Sequence, residues 1–345
     1  MKSIVLIISI VFILFLAIDI SYPVDNSSLN SLIDEALKNN PQIQAAKYRY
    51  EAAKARVRLL RTLDDPKFEY EYDKITADMD AVMRGKTAPM RTFAISQEFP
   101  FPTKLFLRKQ SAQKEANSYE QEYKETENRV IKDLKDAYFQ LFLNSKKIKI
   151  TKENLDLLSQ FIEIANKKYA VNKAGQQDPL KAQVEYSKLS NQLVLLEQEE
   201  KIARSMLIYL LNRSDDTDID VSDEKGNKGL ELQEVKIIAL AKENRPELKS
   251  FKEMLRKSEI DLALSKQEYL PDFMVKYKRQ ANGSAGSWAG MLGVTVPIWF
   301  WEKQDSFVKE AKANVGVAEA EYKATENTVM LEARSAYAKF EAAKN

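Results

Sequence analysis

Two stretches of this chain alternate apolar and polar residues with a period of two, and nearly everything around them repeats with the spacing of helix. The first, residues 66–100, opens with Pro66-Lys-Phe-Glu-Tyr-Glu-Tyr72 and closes with Arg91-Thr-Phe-Ala-Ile-Ser-Gln-Glu-Phe-Pro100. The second, residues 271–297, opens with Pro271-Asp-Phe-Met-Val-Lys-Tyr277 and closes with Gly290-Met-Leu-Gly-Val-Thr-Val-Pro297. Such alternation marks strands with two unlike faces, and proline fits strand ends because it cannot donate to a ladder. Each stretch reads as a β-hairpin.

The helical windows are long. Leu32, Ala36, Leu37, Ile43, Ala46, Tyr50, Ala53, Val57 and Leu60 recur at mostly three- and four-residue steps, and Pro41 separates a short helix from a longer one. Residues 103–174 hold neither Gly nor Pro. Within them Leu134, Tyr138, Leu141, Ser145, Ile148, Lys152, Leu155, Ser159, Ile162, Asn166 and Tyr169 follow a heptad. A helix of about 70 residues spans about 100 Å, so it must pack sideways against partner helices. Gly175-Gln-Gln177-Asp178-Pro179 then predicts a helical-hairpin tip: Gly175 as left-handed C-cap, Asp178 as N-cap and Pro179 as first helical residue. A return helix follows, with Ala182, Tyr186, Leu189, Leu193, Leu196, Glu200, Ala203, Leu207 and Leu210 on its seam.

The chain then starts again. Ala36, Asn39, Pro41, Pro66, Phe68 and Tyr72 match Ala241, Asn244, Pro246, Pro271, Phe273 and Tyr277 at a constant offset of 205. Glu122-Tyr-Lys-Glu-Thr-Glu-Asn-Arg-Val130 recurs as Glu321-Tyr-Lys-Ala-Thr-Glu-Asn-Thr-Val329. Prolines and aromatics at one offset, followed by a nonamer at an offset of 199, indicate an internal duplication. The expected domains are a first repeat at 29–212, a polar linker at 213–229 and a second repeat at 230–345. The second repeat stops without a tip and return helix, so the chain is expected to be a C-terminally truncated fragment whose final helices are missing.

Composition removes several functions. The chain has 53 basic and 51 acidic residues, net charge +2, which gives no electrostatic case for nucleic acid. It has no Cys and no His, so thiolate and imidazole chemistry are absent and no catalytic constellation stands out. No enzyme, cofactor or metal site is expected. The aspartate-rich linker lacks the glycine and terminal glutamate of a calcium loop. Residues 1–26 read as a signal peptide, with Lys2 before an apolar run from Ile4 to Ile18 that is short for a transmembrane helix; an uncleaved membrane anchor is the alternative.

The hairpins then acquire a meaning. Phe68, Tyr70, Tyr72, Phe93, Ile95, Phe99, Phe273, Val275, Tyr277, Leu292, Val294 and Val296 fall on one face, with Gln97 as the exception. Glu69, Glu71, Glu98, Lys276 and Lys278 fall on the other. Strands apolar on one side and charged on the other fit a transmembrane barrel wall, the first set against lipid and the second in the lumen. Trp299 and Trp301 suit an interfacial aromatic belt. The competing reading is a soluble sheet with one face packed on a helix. Four strands cannot close a barrel, so the membrane reading demands several copies of the chain.

With these features in place, the chain resembles the TolC family of outer-membrane efflux proteins. The resemblance rests on the duplication, on Ala36-Leu-Lys-Asn-Asn-Pro41, on Ile95-Ser-Gln-Glu-Phe-Pro-Phe-Pro102, and on the Tyr169, Gly175, Asp178, Leu180, Ala182 turn. It implies a mainly α fold with β, in which long antiparallel coiled-coil helices carry two transmembrane hairpins per chain. Three chains would form a trimeric α/β barrel in the outer membrane, with helices reaching into the periplasm. The tip, Gly175, Gln177, Asp178 and Pro179, would meet a periplasmic adaptor linked to an inner-membrane pump. The function implied is a passive export conduit; the alternative is a periplasmic coiled-coil adaptor or scaffold without a pore. Phe99-Pro-Phe-Pro-Thr-Lys-Leu105 is most similar to the branch serving heavy-metal efflux, which commonly has Gly where Thr103 stands. The family's acidic aperture residues lie near the second tip, so none is assigned, and a chain ending at Asn345 is not expected to seal a channel.

Overall fold

The computed structural model describes residues 29–74, 89–173, 175–214, 219, 221, 233–282 and 285–344. The expected signal peptide and most of the polar linker lie outside the described residues. In chain order the elements are α1 (Leu29–Asn39), α2 (Pro41–Leu59), β1 (Lys67–Lys74), β2 (Pro89–Phe99), α3 (Pro102–Ala170) and α4 (Gln177–Leu211). They continue with α5 (Glu234–Asn244), α6 (Pro246–Gln267), β3 (Asp272–Asn282), β4 (Ala285–Thr295) and α7 (Lys303–Lys344). The fold is mainly helical with one small antiparallel sheet, as the periodicity predicts. A helix–helix–strand–strand–helix series occurs twice, with α4 between the two. Among the described residues, no helix is long and apolar enough to cross a membrane.

The residues group into two compact units. One holds α1, the part of α3 from Ile131 onward, and α4. Its core includes Leu32, Ala36, Leu134, Tyr138, Leu141, Leu207, Leu210 and Leu211. Asn40 follows the last residue of α1 and is buried; its Nδ2 donates to the Leu210 carbonyl at 2.9 Å. Arg213 forks onto Glu35 at 2.8 and 2.6 Å, a bidentate pair tying the end of α4 to α1.

Both helix ends in this unit are closed by asparagine. Asn172 and Asn212 have φ of 56° and 54°. The Asn172 N–H donates to the Tyr169 carbonyl and the Lys173 N–H to the Lys168 carbonyl, each at 2.9 Å; Asn212 and Arg213 repeat the pattern on Tyr209 and Ile208. These are Schellman closures, in which a left-handed residue turns two N–H donors back onto orphan carbonyls at the helix end. The left-handed cap is therefore Asn172 and not Gly175, whose φ lies outside that region. The predicted start of α4 also moves. Gln176 precedes the helix without a side-chain cap, Asp178 lies in its first turn, and Pro179 is its third residue and buried. Proline is tolerated there because first-turn N–H groups have no intrahelical acceptor.

The α4 seam keeps its predicted phase, with Ala182, Leu196, Ala203, Leu207 and Leu210 buried. The α3 seam does not. Asn144, Thr151 and Ala165 are buried and Leu158 is partly so, whereas Lys152, Ser159, Asn166 and Tyr169 are exposed. Both phases share Leu141, Ile148, Leu155 and Ile162, and they differ only in whether the next seam residue lies three or four places on. The three-place choice buries Leu158 and Ala165 in place of Ser159 and Asn166, and so removes more apolar surface from water.

The other unit holds α2, the sheet, the first part of α3, and α5 to α7. There α2 meets α3 through small side chains, Val57 against Ala112 and Ala116, flanked by Ala53 and Leu60. Polar contacts join α3 to α6. Ser111 donates to Asp261, Lys114 to Glu253 at 2.9 Å, and the Ser118 and Ser250 hydroxyls share a buried hydrogen bond of 2.8 Å. Arg245, in the break between α5 and α6, pairs with Glu125 of α3 at 3.2 Å, Glu332 of α7 at 3.0 Å and Glu247 at 3.7 Å. One guanidinium thus serves three carboxylates, and Glu125 Oε2 is buried without a hydrogen-bond partner.

Burial pushes the Glu125 carboxyl above the usual carboxylate range; Arg245 opposes this, and Glu247 and Glu332 add to it. A carboxyl whose folded pKa is raised penalises the fold when ionised, and the penalty disappears as pH falls through the folded value. Glu125→Gln should therefore unfold at a higher temperature than wild type at about pH 7.5, and the difference should shrink toward about pH 5. Thermal unfolding of the detergent-solubilised protein at several pH values checks this; a pH-independent difference counts against it.

Candidate functional site

The four strands form one antiparallel sheet in the order β1-β2-β3-β4, so the two hairpins lie side by side through β2 and β3. Directly opposed residues share a face, which lets the register assign every side chain. Phe68, Ile95, Tyr277 and Gly290 form one row; Gln97, Val275 and Leu292 another; Phe99, Phe273 and Val294 a third. Tyr70, Phe93, Arg279 and Trp288 form a fourth, with Tyr70 and Phe93 rings 5.0 Å apart. Eleven of the twelve residues predicted for the apolar face lie on it together. Val296 falls outside, because β4 ends at Thr295. The strands are also longer than the alternation alone marked, β4 beginning at Ala285.

The opposite face carries Glu69, Glu71, Glu98, Lys276 and Lys278, all five predicted polar residues. On β2 this face is small and buried: Thr92, Ala94 and Ser96 are at most 8% exposed. Longer side chains from neighbouring strands close over them. Lys276 of β3 bonds Glu69 of β1 across β2, and Lys67 bonds Glu98 at 2.8 Å.

The sheet is thus inside out. Its apolar face is the exposed one, from Ile95 at 37% to Leu292 at 83%, while the polar face is partly covered. A large apolar side chain left in water forgoes roughly 1.5–3 kcal/mol. At about half exposure over eleven residues the total is on the order of 10 kcal/mol, comparable with the net stability of a domain, about 5–15 kcal/mol. Among the described residues no helix covers the apolar face, as a soluble sheet packed on a helix would require.

At the foot of the sheet, Lys104 is almost fully buried. Its Nζ donates to Asp272 at 2.9 Å, to the Leu270 carbonyl at 3.1 Å and to Glu268 at 3.5 Å. Asp272 also accepts the Phe101 N–H at 2.9 Å, and Thr103 donates to Gln267 at 2.7 Å. The crossing from β2 into α3 is thereby locked to the crossing from α6 into β3. Sequence reasoning passed over Lys104, although its place after Pro100-Phe-Pro102 and an aspartate after Pro271 were signals. Trp299, Phe300 and Trp301 lie just past β4, exposed and in edge-to-face contact at 5.8 and 5.1 Å. Of the predicted tip residues, Gly175, Gln177 and Asp178 are exposed, whereas Pro179 is a packing residue. Among the described residues no acidic cluster could hold a metal ion.

A model of the outer membrane efflux protein family matches residues 32–213 and 237–345. The chain belongs to this family. The TolC-like resemblance therefore holds, and outer membrane efflux proteins are transport channels rather than enzymes. Solved structures share the fold. The outer-membrane channel OprN is 18% identical, with 91% of this chain and 73% of that one covered at a TM-score of 0.76. The CmeC outer membrane channel of Campylobacter jejuni is 20% identical, with 87% and 68% covered at 0.72. The MtrE outer membrane channel of Neisseria gonorrhoeae, in its open state, is 16% identical, with 92% and 74% covered at 0.69. No curated protein matches the chain by sequence. The heavy-metal branch is not distinguished by these likenesses. This efflux protein is an outer-membrane channel component of tripartite systems, with helices extending into the periplasm. The scaffold alternative is not favoured.

Lys104→Met should lower stability by roughly 1.5–3 kcal/mol, the worth of hydrogen bonds to a charged group, since Glu268 and Asp272 are exposed enough to regain water. A denaturation midpoint equal to wild type would show that the clamp contributes nothing.

Proposed function

We propose that the exposed apolar face of the sheet lies against lipid and its polar face lines an aqueous lumen, making this chain one part of a passive efflux conduit. The inversion of the sheet is the observation that carries the reading. The apolar face extends from Phe273 to beyond Tyr277, and from Phe273 to Arg279 it covers six steps, roughly 20 Å along the strand. That suits the apolar band of an outer-membrane barrel, about 25 Å tall. Strands β1 and β4 are the two sheet edges, and an open edge is not tolerated in hydrocarbon. Pairing β4 of one copy with β1 of the next, in a homotrimer, would close twelve strands. Trp299 and Trp301, just past the last strand, suit the interface on the helical side.

The helical tip is the docking end for a periplasmic adaptor in this reading, with Gly175, Gln177 and Asp178 as the exposed contact residues. The adaptor joins the channel to an inner-membrane pump that supplies the driving force. No chemistry is assigned to the chain itself.

Leu292→Arg separates lipid from water as the surroundings of the apolar face. In lipid it should cost about 2–4 kcal/mol near the midplane and sharply reduce folded, heat-modifiable protein in vesicles. At an exposed position in water the same change stays within about 0.5 kcal/mol, so wild-type behaviour in vesicles would refute the assignment. Replacing Glu69, Glu71, Lys276 and Lys278 together with Ser should shift the reversal potential in planar bilayers, and an unchanged potential counts against the lumen.

A further inference from the structure

Two arginines stand on the apolar face of the sheet, where Gln97 is the other polar side chain of a strand interior. Arg91 lies opposite Tyr72 and Ala281, and Arg279 opposite Phe93 and Trp288. Both are exposed, and among the described residues neither is in an ion pair or a side-chain hydrogen bond. Because Arg91 opposes Ala281, Arg279 is its diagonal neighbour on β3, about 7–8 Å away on the same face. Like charges placed side by side repel, whereas on the other face two lysines are held by carboxylates, Lys276 by Glu69 and Lys67 by Glu98.

Position adds a second argument. Both arginines sit toward the hairpin ends, away from Lys104 and the helices, beyond the rows of Phe273, Val275 and Tyr277. An arginine on a lipid-facing strand costs about 2–4 kcal/mol at the midplane and about 0–1 kcal/mol near the interface. The pair is tolerable only at headgroup depth. Trp288 and Tyr72 flank it, and such rings favour that depth.

We propose that Arg91 and Arg279 form a binding site for the phosphate of an outer-leaflet lipid headgroup. The planar guanidinium carries donors in the fork geometry that matches phosphate oxygens. A phosphate between the two neutralises their repulsion, and the lipid's acyl chains continue along Tyr70, Phe93 and Tyr277. This rests on the lipid-facing reading of the apolar face, and it names the lipid chemistry at one end of that face.

Native mass spectrometry of the full chain in neutral detergent tests the site, with diphosphoryl lipid A and the same glycolipid stripped of its phosphates as paired probes. The phosphorylated glycolipid should bind at least tenfold tighter, and Arg91→Gln with Arg279→Gln should remove most of that preference. Lys276→Gln with Lys278→Gln, on the other face, should leave it unchanged. Lipid binding without a phosphate preference, or a preference that survives the arginine changes, overturns the phosphate site and leaves the lipid-facing sheet standing. A preference lost with the two lysines instead overturns both. Displacement of the glycolipid by an equal concentration of inorganic phosphate would show a free-anion site and overturn the assignment to a headgroup.

Discussion

A sheet that pairs charges across one face and exposes aromatic rings on the other has to solve two problems at once. The charges on the inner side need partners, and the backbone along both edges needs donors and acceptors. The first is met within the chain. Small residues on β2, Thr92, Ala94 and Ser96, leave room for Lys276 to reach Glu69 across a whole strand. Larger residues at those three positions would hold the lysine away and leave ionised groups unpaired in a crowded space. The second problem has no solution within the chain, since β1 and β4 end the sheet. In the proposed lipid setting, further copies of the chain supply the missing partners.

The sheet would be of little use if it hinged freely on its helices. Lys104 prevents this by holding a carboxylate, a carbonyl and a second carboxylate of the neighbouring crossing at once. The same logic recurs lower in this unit, where Arg245 gathers carboxylates from α3 and α7 at the break between α5 and α6. Helix contacts here depend on small residues and hydrogen-bonded polar pairs. Such contacts fix register closely, because a one-turn slip would strand Ser118, Ser250 or Lys114 without a partner.

Much of this was legible in the residues. Alternation through Phe68, Tyr70 and Tyr72, and through Phe273, Val275 and Tyr277, is a local property of each strand, so the two faces could be read directly. Pro41 and Pro246 announced helix breaks because proline has no N–H to give. The misreadings came where two local solutions were nearly equal. Gly175 and Asn172 could each supply a left-handed cap, and only the folded helix end shows which one is used. The α3 seam had two phases sharing every second position, and the choice depended on what packed against it.

By itself, the sequence determined the element types, the polarity of each strand face and the absence of imidazole and thiol chemistry, since these depend on residues near one another in the chain. The tertiary structure alone decided which face stays exposed, because exposure depends on what covers it. It also brought Lys104 to Asp272, and set Arg91 beside Arg279 through a pairing of β2 with β3 that joins hairpins distant in sequence. Such contacts are set by register between strands that carry no local signal of their partner.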